Sequence, residues 1–397
     1  MIGLQRNLKL YPWYVGLFHA YFWLPIYFLF FNSKLALSDV LYLASIYFAS
    51  VVIIEVPSGW FSDQFGRRKT LIVASVFLCV AYTIFLFADS FGTFVTAQVF
   101  LAAGIAFNSG TDTSFLFETT DALGTPEAFP EREANAMKFN FLGTAIAGIL
   151  GGLAAIPDFR GAYLLSLLAG IGLLIITFLF IEPQQKTSRL HTGFFKQVIA
   201  CLALLKNTYV LWLFAFAIFM IIINHIPYEF YQPYLKELAS QYEAIKVTPF
   251  LTSVHLTLTM LAASWIADRS IRIRNTIGTV PTLLSAAGLQ IVMMATMSFF
   301  VSIPAAIVTL LRSCPRALMT APLNAEVAPR IPTEKRATFF SLQSLFGRLG
   351  FSITLFLFGS SAANNDWASI SKMLEWGMWL GLVGFVALLL TRKLTPS

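Results

Sequence analysis

Gly59-Trp-Phe-Ser-Asp63-Gln-Phe-Gly66-Arg67-Arg68-Lys69-Thr70 is a short polar joint between two long apolar runs. Each flank is long enough to cross a bilayer, whose hydrocarbon takes about 20 apolar residues to span. The chain must therefore reverse direction within a few residues. Gly59 and Gly66 are expected to permit close backbone approach and a tight turn. Arg67, Arg68 and Lys69 mark the joint as a cytoplasmic loop, because Lys and Arg are retained on that side. Asp63, at the end of the first run, is placed to accept hydrogen bonds from a neighbouring helix N-terminus.

The rest of the chain agrees with a membrane setting. Of its 397 residues 57% are hydrophobic and 12% charged, against roughly 25% charged in soluble domains. The apolar runs are continuous rather than alternating, which predicts helices and not a β-barrel. The formal charge of +7 resides in loops, so it bears on orientation and contact with the lipid bilayer rather than on nucleic acid. Cys79, Cys201 and Cys314 have no C-x-x-C spacing and are expected to be buried and inert. Neither a metal site nor a cofactor is implied. Arg6 and Lys9 precede a span-length run without a small-residue cleavage pattern, so the first helix is expected to be retained.

Twelve spans are predicted, at 12–32, 39–60, 70–88, 92–118, 136–156, 161–181, 208–228, 249–267, 276–297, 299–323, 337–360 and 373–391. Span 10 is expected to be broken by Pro304, and span 7 to continue past Pro227 towards Tyr234. With both termini in the cytoplasm, nineteen of the 27 Lys and Arg fall in cytoplasmic segments, five outside and three within spans. That asymmetry sets the orientation. The polar stretch 183–207 reads as a linker between residues 1–182 and 208–397, with 194–205 either amphipathic at the membrane surface or plain linker. A shift of 205 lays Asp63 on Asp268, Arg67 on Arg272 and Lys69 on Arg274, with both glycines lost, and puts His19 on Asn224 beside His225. Several coincidences at one offset indicate an internal repeat.

The pattern G-x-x-x-D-x-x-G-R-R-K resembles the signature loop between helices 2 and 3 of the major facilitator superfamily of transporters, and the repeat extends the resemblance to the whole chain. It implies an all-α membrane fold of two pseudo-symmetric six-helix bundles, with spans 1, 4, 7 and 10 around a central cavity. On that implication Gly59, Asp63, Gly66, Arg67, Arg68, Lys69, Asp268 and Arg272 form a gating loop in two copies. Glu55 and Arg348, on spans 2 and 11, are expected to latch the two halves.

Charges inside spans are costly and so mark function. Span 4 carries Asn108, Ser109, Gly110, Thr111, Asp112, Thr113 and Ser114 in succession, then Glu118, and such a run cannot face lipid. Asp112 is the leading proton-titrating or solute-contacting carboxylate, while Glu118 either joins it or ends the helix in headgroups. Arg312 and Arg316 on span 10 lie four apart, hence on one helical face. His19 and His225 either carry protons in the cavity or bond the backbone of a neighbouring helix. Most of the aromatic residues are expected to face lipid or the interface. Gly143-x-x-x-Ala147-Gly148-x-x-Gly151-Gly152 on span 5 is similar to the exporter motif of the superfamily, and its small residues also suit close helix packing. The span-4 arginine of drug antiporters is absent, Phe100 standing in its place.

No catalytic motif or phosphate-binding loop is present, which excludes the common enzyme and ATP-driven classes. The reading is a monomeric secondary transporter of a bacterial-type inner (plasma) membrane, with proton-coupled efflux of a small organic or amphipathic solute expected. The alternatives are an importer or uniporter of an anionic solute held by Arg312 and Arg316, and a non-transporting receptor or scaffold on the same fold.

Overall fold

The structure, a computed structural model, describes residues 2–183, 194–362 and 364–394. The middle of the expected linker, with Lys186 and Arg189, lies outside them. Among the described residues the chain is all-α, with α1 (Ile2–Phe18), α2 (Tyr27–Asn32), α3 (Leu37–Phe65), α4 (Arg67–Phe87), α5 (Phe91–Asn108), α6 (Thr111–Ala122), α7 (Phe129–Ala154) and α8 (Arg160–Leu179). A short helix, α9 (Phe194–Leu202), precedes α10 (Thr208–Ser240), α11 (Thr248–Ile277), α12 (Thr279–Phe299), α13 (Ile303–Val308), α14 (Cys314–Val327), α15 (Thr333–Ser361) and α16 (Trp367–Leu394).

Among the described residues ten stretches are long and apolar enough to cross a bilayer. The first and tenth expected spans are each divided, into α1 with α2 and α13 with α14. In the first, the chain leaves the helix at His19 and re-enters at Tyr27. Pro25 lies in that gap and has no N–H to return to a helical carbonyl. In the tenth, a 3-10 turn at Thr309–Leu311 interrupts the chain, and Pro315 opens α14. Pro304 starts α13 rather than breaking it. Span 4, expected as one helix, also stops at Ser109 and restarts at Thr111. Gly110 between them has φ +71°, a left-handed conformation that an L side chain resists. By contrast α10 runs unbroken through Pro227 and Pro233.

The helices pack as two compact units, Met1–Arg189 with Pro249–Val254, and Leu190–Thr248 with His255–Ser397. Within the first, α4 packs on α5 and α8, and α1 on α7 and α8. Within the second, α12 packs on α14 and α16, and α10 on α15 and α16. Counted in spans, third meets fourth and sixth, and first meets fifth and sixth, in both units. The repeat is thus one of packing as well as of sequence. Some of the aromatics form core: Phe30, Phe31, Phe85, Phe94 and Tyr163 are buried against one another at one end of the first unit. At the same end Asp89 accepts Lys34 at 2.9 Å and Arg160 at 2.8 Å, tying three segments together, and the Lys34 ammonium first and Arg160 second hold its carboxyl below the usual range. The cysteines are unpaired, Cys201 and Cys314 buried and Cys79 half-buried.

The glycine stripe of α7 is used for packing. A Cβ at Gly143 would lie 2.2 Å from the Gly16 carbonyl oxygen on α1, and one at Gly151 would lie 2.0 Å from the Phe22 carbonyl oxygen in the gap between α1 and α2. Backbone meets backbone there without a side chain between, as small residues allow in membrane interfaces.

Gly66 makes the turn from α3 to α4 with φ 94° and ψ 161°, a region essentially reserved to glycine. A Cβ there would also strike the Glu182 carboxylate at 2.7 Å. That carboxylate caps α4: its oxygens accept the backbone N–H groups of Arg67 at 2.6 Å and Arg68 at 2.8 Å. Free N–H groups and the positive end of the helix dipole both favour an anion at this position. The segment holding Glu182 is fixed in turn, since Asn7 exchanges two hydrogen bonds with Ile181 and Arg68 donates to the Phe178 carbonyl at 2.9 Å. Gly59, in contrast, lies exposed inside α3, and a Cβ there would meet no described atom within 4 Å. The expectation of close approach holds for Gly66 and is corrected for Gly59.

Two outcomes follow for stability in detergent. Gly143→Ala and Gly151→Ala overpack the α1–α7 contact and lower the unfolding free energy by about 1–3 kcal/mol each, whereas Gly59→Ala leaves the melting temperature unchanged or raised; equal effects at the three sites would refute the assignment. Burial holds the Glu182 carboxyl above its usual 4.5 even though Arg67 and Arg68 donate to it. The folded chain therefore keeps that proton to higher pH than the unfolded chain, and the linked stability is full in acid and declines as pH rises through the folded titration. In Glu182→Gln this slope above pH 4.5 disappears from the unfolding profile, and an unchanged slope would remove Glu182 as its source.

Candidate functional site

The interrupted fourth span builds the polar site of the first unit. Because α6 begins afresh after Gly110, Asp112 stands in its first turn, where unpaired N–H groups stabilise a carboxylate. Its Oδ1 accepts the Thr113 backbone N–H at 2.7 Å, and its Oδ2 accepts Asn108 Nδ2 at 3.2 Å. The buried Tyr14 hydroxyl on α1 donates to Asn108 Oδ1. Tyr14, Asn108 and Asp112 thus form a chain of hydrogen bonds between the first and fourth spans. His19 ends α1 nearby, with Nδ1 bonded to the Val15 carbonyl at 2.9 Å, and Thr144 on α7 donates to the His19 carbonyl at 3.2 Å. The His19 ring thus bonds the backbone of its own helix rather than that of a neighbouring one.

Glu118 does not join Asp112. It accepts Arg67 Nε at 3.0 Å, while Arg67 Nη1 donates to Asp63 at 2.8 Å and to Ser62 at 2.8 Å. The expectation that Glu118 shares the Asp112 site is corrected: one turn and a half of α6 separate the two, and the guanidinium of the loop claims the second. Asp63 takes this side chain, and the helix N-terminus expected for it belongs to Glu182. Arg68 is half-buried on the Phe178 carbonyl, and Lys69 is exposed.

In the second unit Gly278 repeats the Gly66 conformation, with φ 90° and ψ 162°. The true offset of the turn is therefore 278 − 66, or 212, and the glycine that the shift of 205 declared lost is present seven residues on. Asp268 is correspondingly displaced: its side chain is 81% exposed and touches only its neighbour Arg269, at 3.5 Å, among the described ion pairs. Arg272 is exposed as well. The ion pairs at this end fall instead to Arg274 and Arg330, which hold Glu326 on α14 at 3.1 and 2.7 Å, with Thr279 at 2.9 Å and the Tyr209 hydroxyl at 3.3 Å. Glu326 does for this unit what Glu118 does for the first.

Arg312 and Arg316 do not share a face. The 3-10 turn and the new start at Cys314 rotate them apart, leaving Arg312 only 2% exposed and Arg316 exposed. Arg312 Nη1 donates to His255 Nδ1 at 2.7 Å and to Thr259 at 2.5 Å, both on α11, and its guanidinium lies 4.1 Å from the centre of the Tyr231 ring. Glu229 is 2% exposed two residues before Tyr231. His225 Nδ1 bonds the Ile221 carbonyl at 2.6 Å and its ring lies 5.0 Å from Phe351, while Asn224 reaches Met319 Sδ on α14 at 3.8 Å. Glu55 is half-buried on α3, and Arg348 half-buried on α15.

Sequence reasoning missed His255, Glu326 and the cap formed by Glu182. The first had a readable signal, since Thr252, Ser253, His255, Thr257 and Thr259 lace one span with polar groups much as 108–114 do. Glu182 had none: it lies 116 residues after Gly66 (182 − 66), and only packing brings them together.

Comparison with known proteins supports the same architecture. A single-residue mutant of the nucleoside transporter NupG superposes with a TM-score of 0.83 at 11% identity, covering 97% of this chain and 100% of that one. A D-xylose-proton symporter gives 0.74 at 14%, covering 98% of each chain, and an auto-inhibited POT family peptide transporter gives 0.72 at 12%, covering 99% of this chain and 97% of that one. At these identities the likeness is one of fold. No curated protein matches the sequence. The sequence model of the Major Facilitator Superfamily matches residues 14–355, well over half the chain, and the protein belongs to that superfamily.

Proposed function

We propose that the chain is a secondary active transporter that moves a small organic solute by alternating access and couples it to protons through Asp112. One observation carries this reading: the helix breaks fall beside polar groups that lipid would not tolerate, at Gly110 next to half-buried Asp112 and at Thr309–Leu311 next to buried Arg312. Interrupted helices with polar groups at the break are how transporters of this kind build solute and ion sites at membrane depth. A receptor or scaffold has no use for breaks that cost helix hydrogen bonds in hydrocarbon. The similar structures bear on the solute class, being a nucleoside transporter, a D-xylose-proton symporter and a peptide transporter. These relatives also favour a transporter over an enzyme.

Within this reading the residues 1–182 and 208–397 are the moving halves, the Arg67 and Arg274 clusters brace the ends of their helices, and the protein acts as a monomer. The Lys and Arg asymmetry supports a plasma membrane with both termini cytoplasmic. The glycine stripe of α7 is accounted for by its packing on α1, so it lends no support to efflux, and the direction falls to the transport assay. Buried Arg312 favours an anionic group on the solute as a second, compatible reading.

The experiment is proton flux in proteoliposomes against a panel of nucleosides, sugars, dipeptides and carboxylates, comparing wild type with Asp112→Asn. The expected result is solute-dependent proton movement in the wild type, reduced at least tenfold by the substitution. Solute movement without protons and indifferent to Asp112→Asn would overturn the coupling while leaving transport in place.

A further inference from the structure

Arg312 sits in a built site whose hydrogen-bond roles are determined by elementary chemistry. A guanidinium only donates. Its Nη1 carries two hydrogens, one directed to His255 Nδ1 and one to Thr259 Oγ1. His255 Nδ1 is therefore an acceptor and bears no proton. The ring hydrogen is on Nε2, which donates to the Ala306 carbonyl at 3.1 Å and to Thr309 Oγ1 at 3.2 Å, and the Thr309 hydroxyl spends its own hydrogen on the same carbonyl at 2.8 Å. Both ring nitrogens are engaged and the imidazole is neutral. The Tyr231 ring lies beneath the guanidinium and 6.2 Å from the His255 ring, nearly parallel to it.

Of the two ring nitrogens only Nδ1 can take up a proton, and it does so at the cost of a single hydrogen bond. It is covered by a charge that Arg312 keeps at every working pH. Two adjacent positive charges in a buried site are costly unless a negative one accompanies them. We propose that His255 Nδ1 is a proton site gated by Arg312, opened when a carboxylate or phosphate group of the transported solute draws the guanidinium away. In that step a proton from water adds to the Nδ1 lone pair and the Arg312–His255 hydrogen bond is lost. The guanidinium keeps all its hydrogens, and Nε2–H is unchanged. The ring gains one positive charge and the solute brings one negative charge, so the buried cluster keeps its net charge. Anion and proton then load together, each raising the affinity for the other by the same factor. The groups facing His255 are Arg312 and Thr309 from the tenth span, Tyr231 from α10 and Thr259 on its own helix, with Glu229 buried two residues before Tyr231 as the other group able to hold the proton. The inference rests on the solute-carrier reading, but the pair can be observed whether or not any solute moves.

The test is nitrogen-15 NMR of the full chain labelled at its 4 histidines, assigned by His→Gln substitutions. Wild-type His255 should show the neutral tautomer with the proton on Nε2. In Arg312→Gln the ratio of imidazolium to imidazole at the same mildly acidic pH should rise about tenfold or more, the effect of one neighbouring charge removed. Adding benzoate or inorganic phosphate as the anionic probe should raise that ratio in the wild type and not in Arg312→Gln. A proton on Nδ1 in the wild type, or an equal ratio in both proteins, overturns the gate. No response to either probe overturns the anionic solute. A response lost in Glu229→Gln with the His255 ring unaltered would move the proton to Glu229 and overturn the site. Should Arg312→Gln not fold, the wild-type tautomer and the milder Thr259→Val, expected to raise the ratio by a smaller factor, decide in its place.

Discussion

A helix interrupted within hydrocarbon leaves N–H and C=O groups that lipid cannot satisfy, and this protein interrupts three of its spans. Each break must therefore be enclosed by protein, and each enclosure gathers polar side chains. At Gly110 the freed N-terminus of α6 is answered by the Asp112 carboxylate on Thr113 N–H. Around Thr309 and Arg312 the Ala306 carbonyl is answered by His255 and Thr309 together. In the gap of the first span the exposed carbonyls of His19 and Phe22 face α7, one bonded to Thr144 and the other tight against Gly151. The need to satisfy backbone in a medium without water thus determines where chemistry can reside in the fold.

The two units share a plan and differ in chemistry. In both the third span packs on the fourth and sixth and the first on the fifth and sixth, although the close packing of α3 on α5 is not repeated to that extent by α11 on α14. Gly66 and Gly278 turn with backbone angles that agree within a few degrees. At both turns an arginine is held by a carboxylate from the fourth or tenth span, Arg67 by Glu118 and Arg274 by Glu326. The charge balance then diverges. The first turn has Asp63, Glu118 and Glu182 about Arg67 and Arg68, whereas the second has Arg274 and Arg330 about Glu326 alone. At the breaks the divergence is repeated, with a carboxylate in one unit and a guanidinium in the other. Repetition of backbone with divergence of side chains lets one packing plan carry a carboxylate at one break and a guanidinium at the other.

Histidine position shows how little a residue type says without its neighbours. His19 falls one residue from His225 at the shift of 205, and both stand where a cavity is expected, yet each bonds the carbonyl one turn back on its own helix. His255 attracted no notice in the sequence, and it accepts a hydrogen bond from a charged side chain of another span.

The sequence by itself determined the class, the approximate spans, the repeat and the family. All four rest on properties summed over many residues or on one dense local motif: continuous apolar runs, the Lys and Arg asymmetry, and the stretch from Gly59 to Thr70. Asp112 was legible for the same reason, as a charge in a polar run where lipid forbids one. What only the tertiary structure decided are relations between distant residues. The repeat register had to be moved by seven residues at the second turn, because backbone angles identify Gly278 as the counterpart and side-chain identity had favoured Asp268. Arg312 and Arg316 parted because a 3-10 turn replaces the helix their spacing presumed. Glu182 reached the N-terminus of α4, and His255 reached Arg312, across gaps in sequence that no periodicity spans. Local pattern reports burial and direction of a helix, while the pairing of buried polar groups depends on which helices meet and at what height, and that is settled by packing.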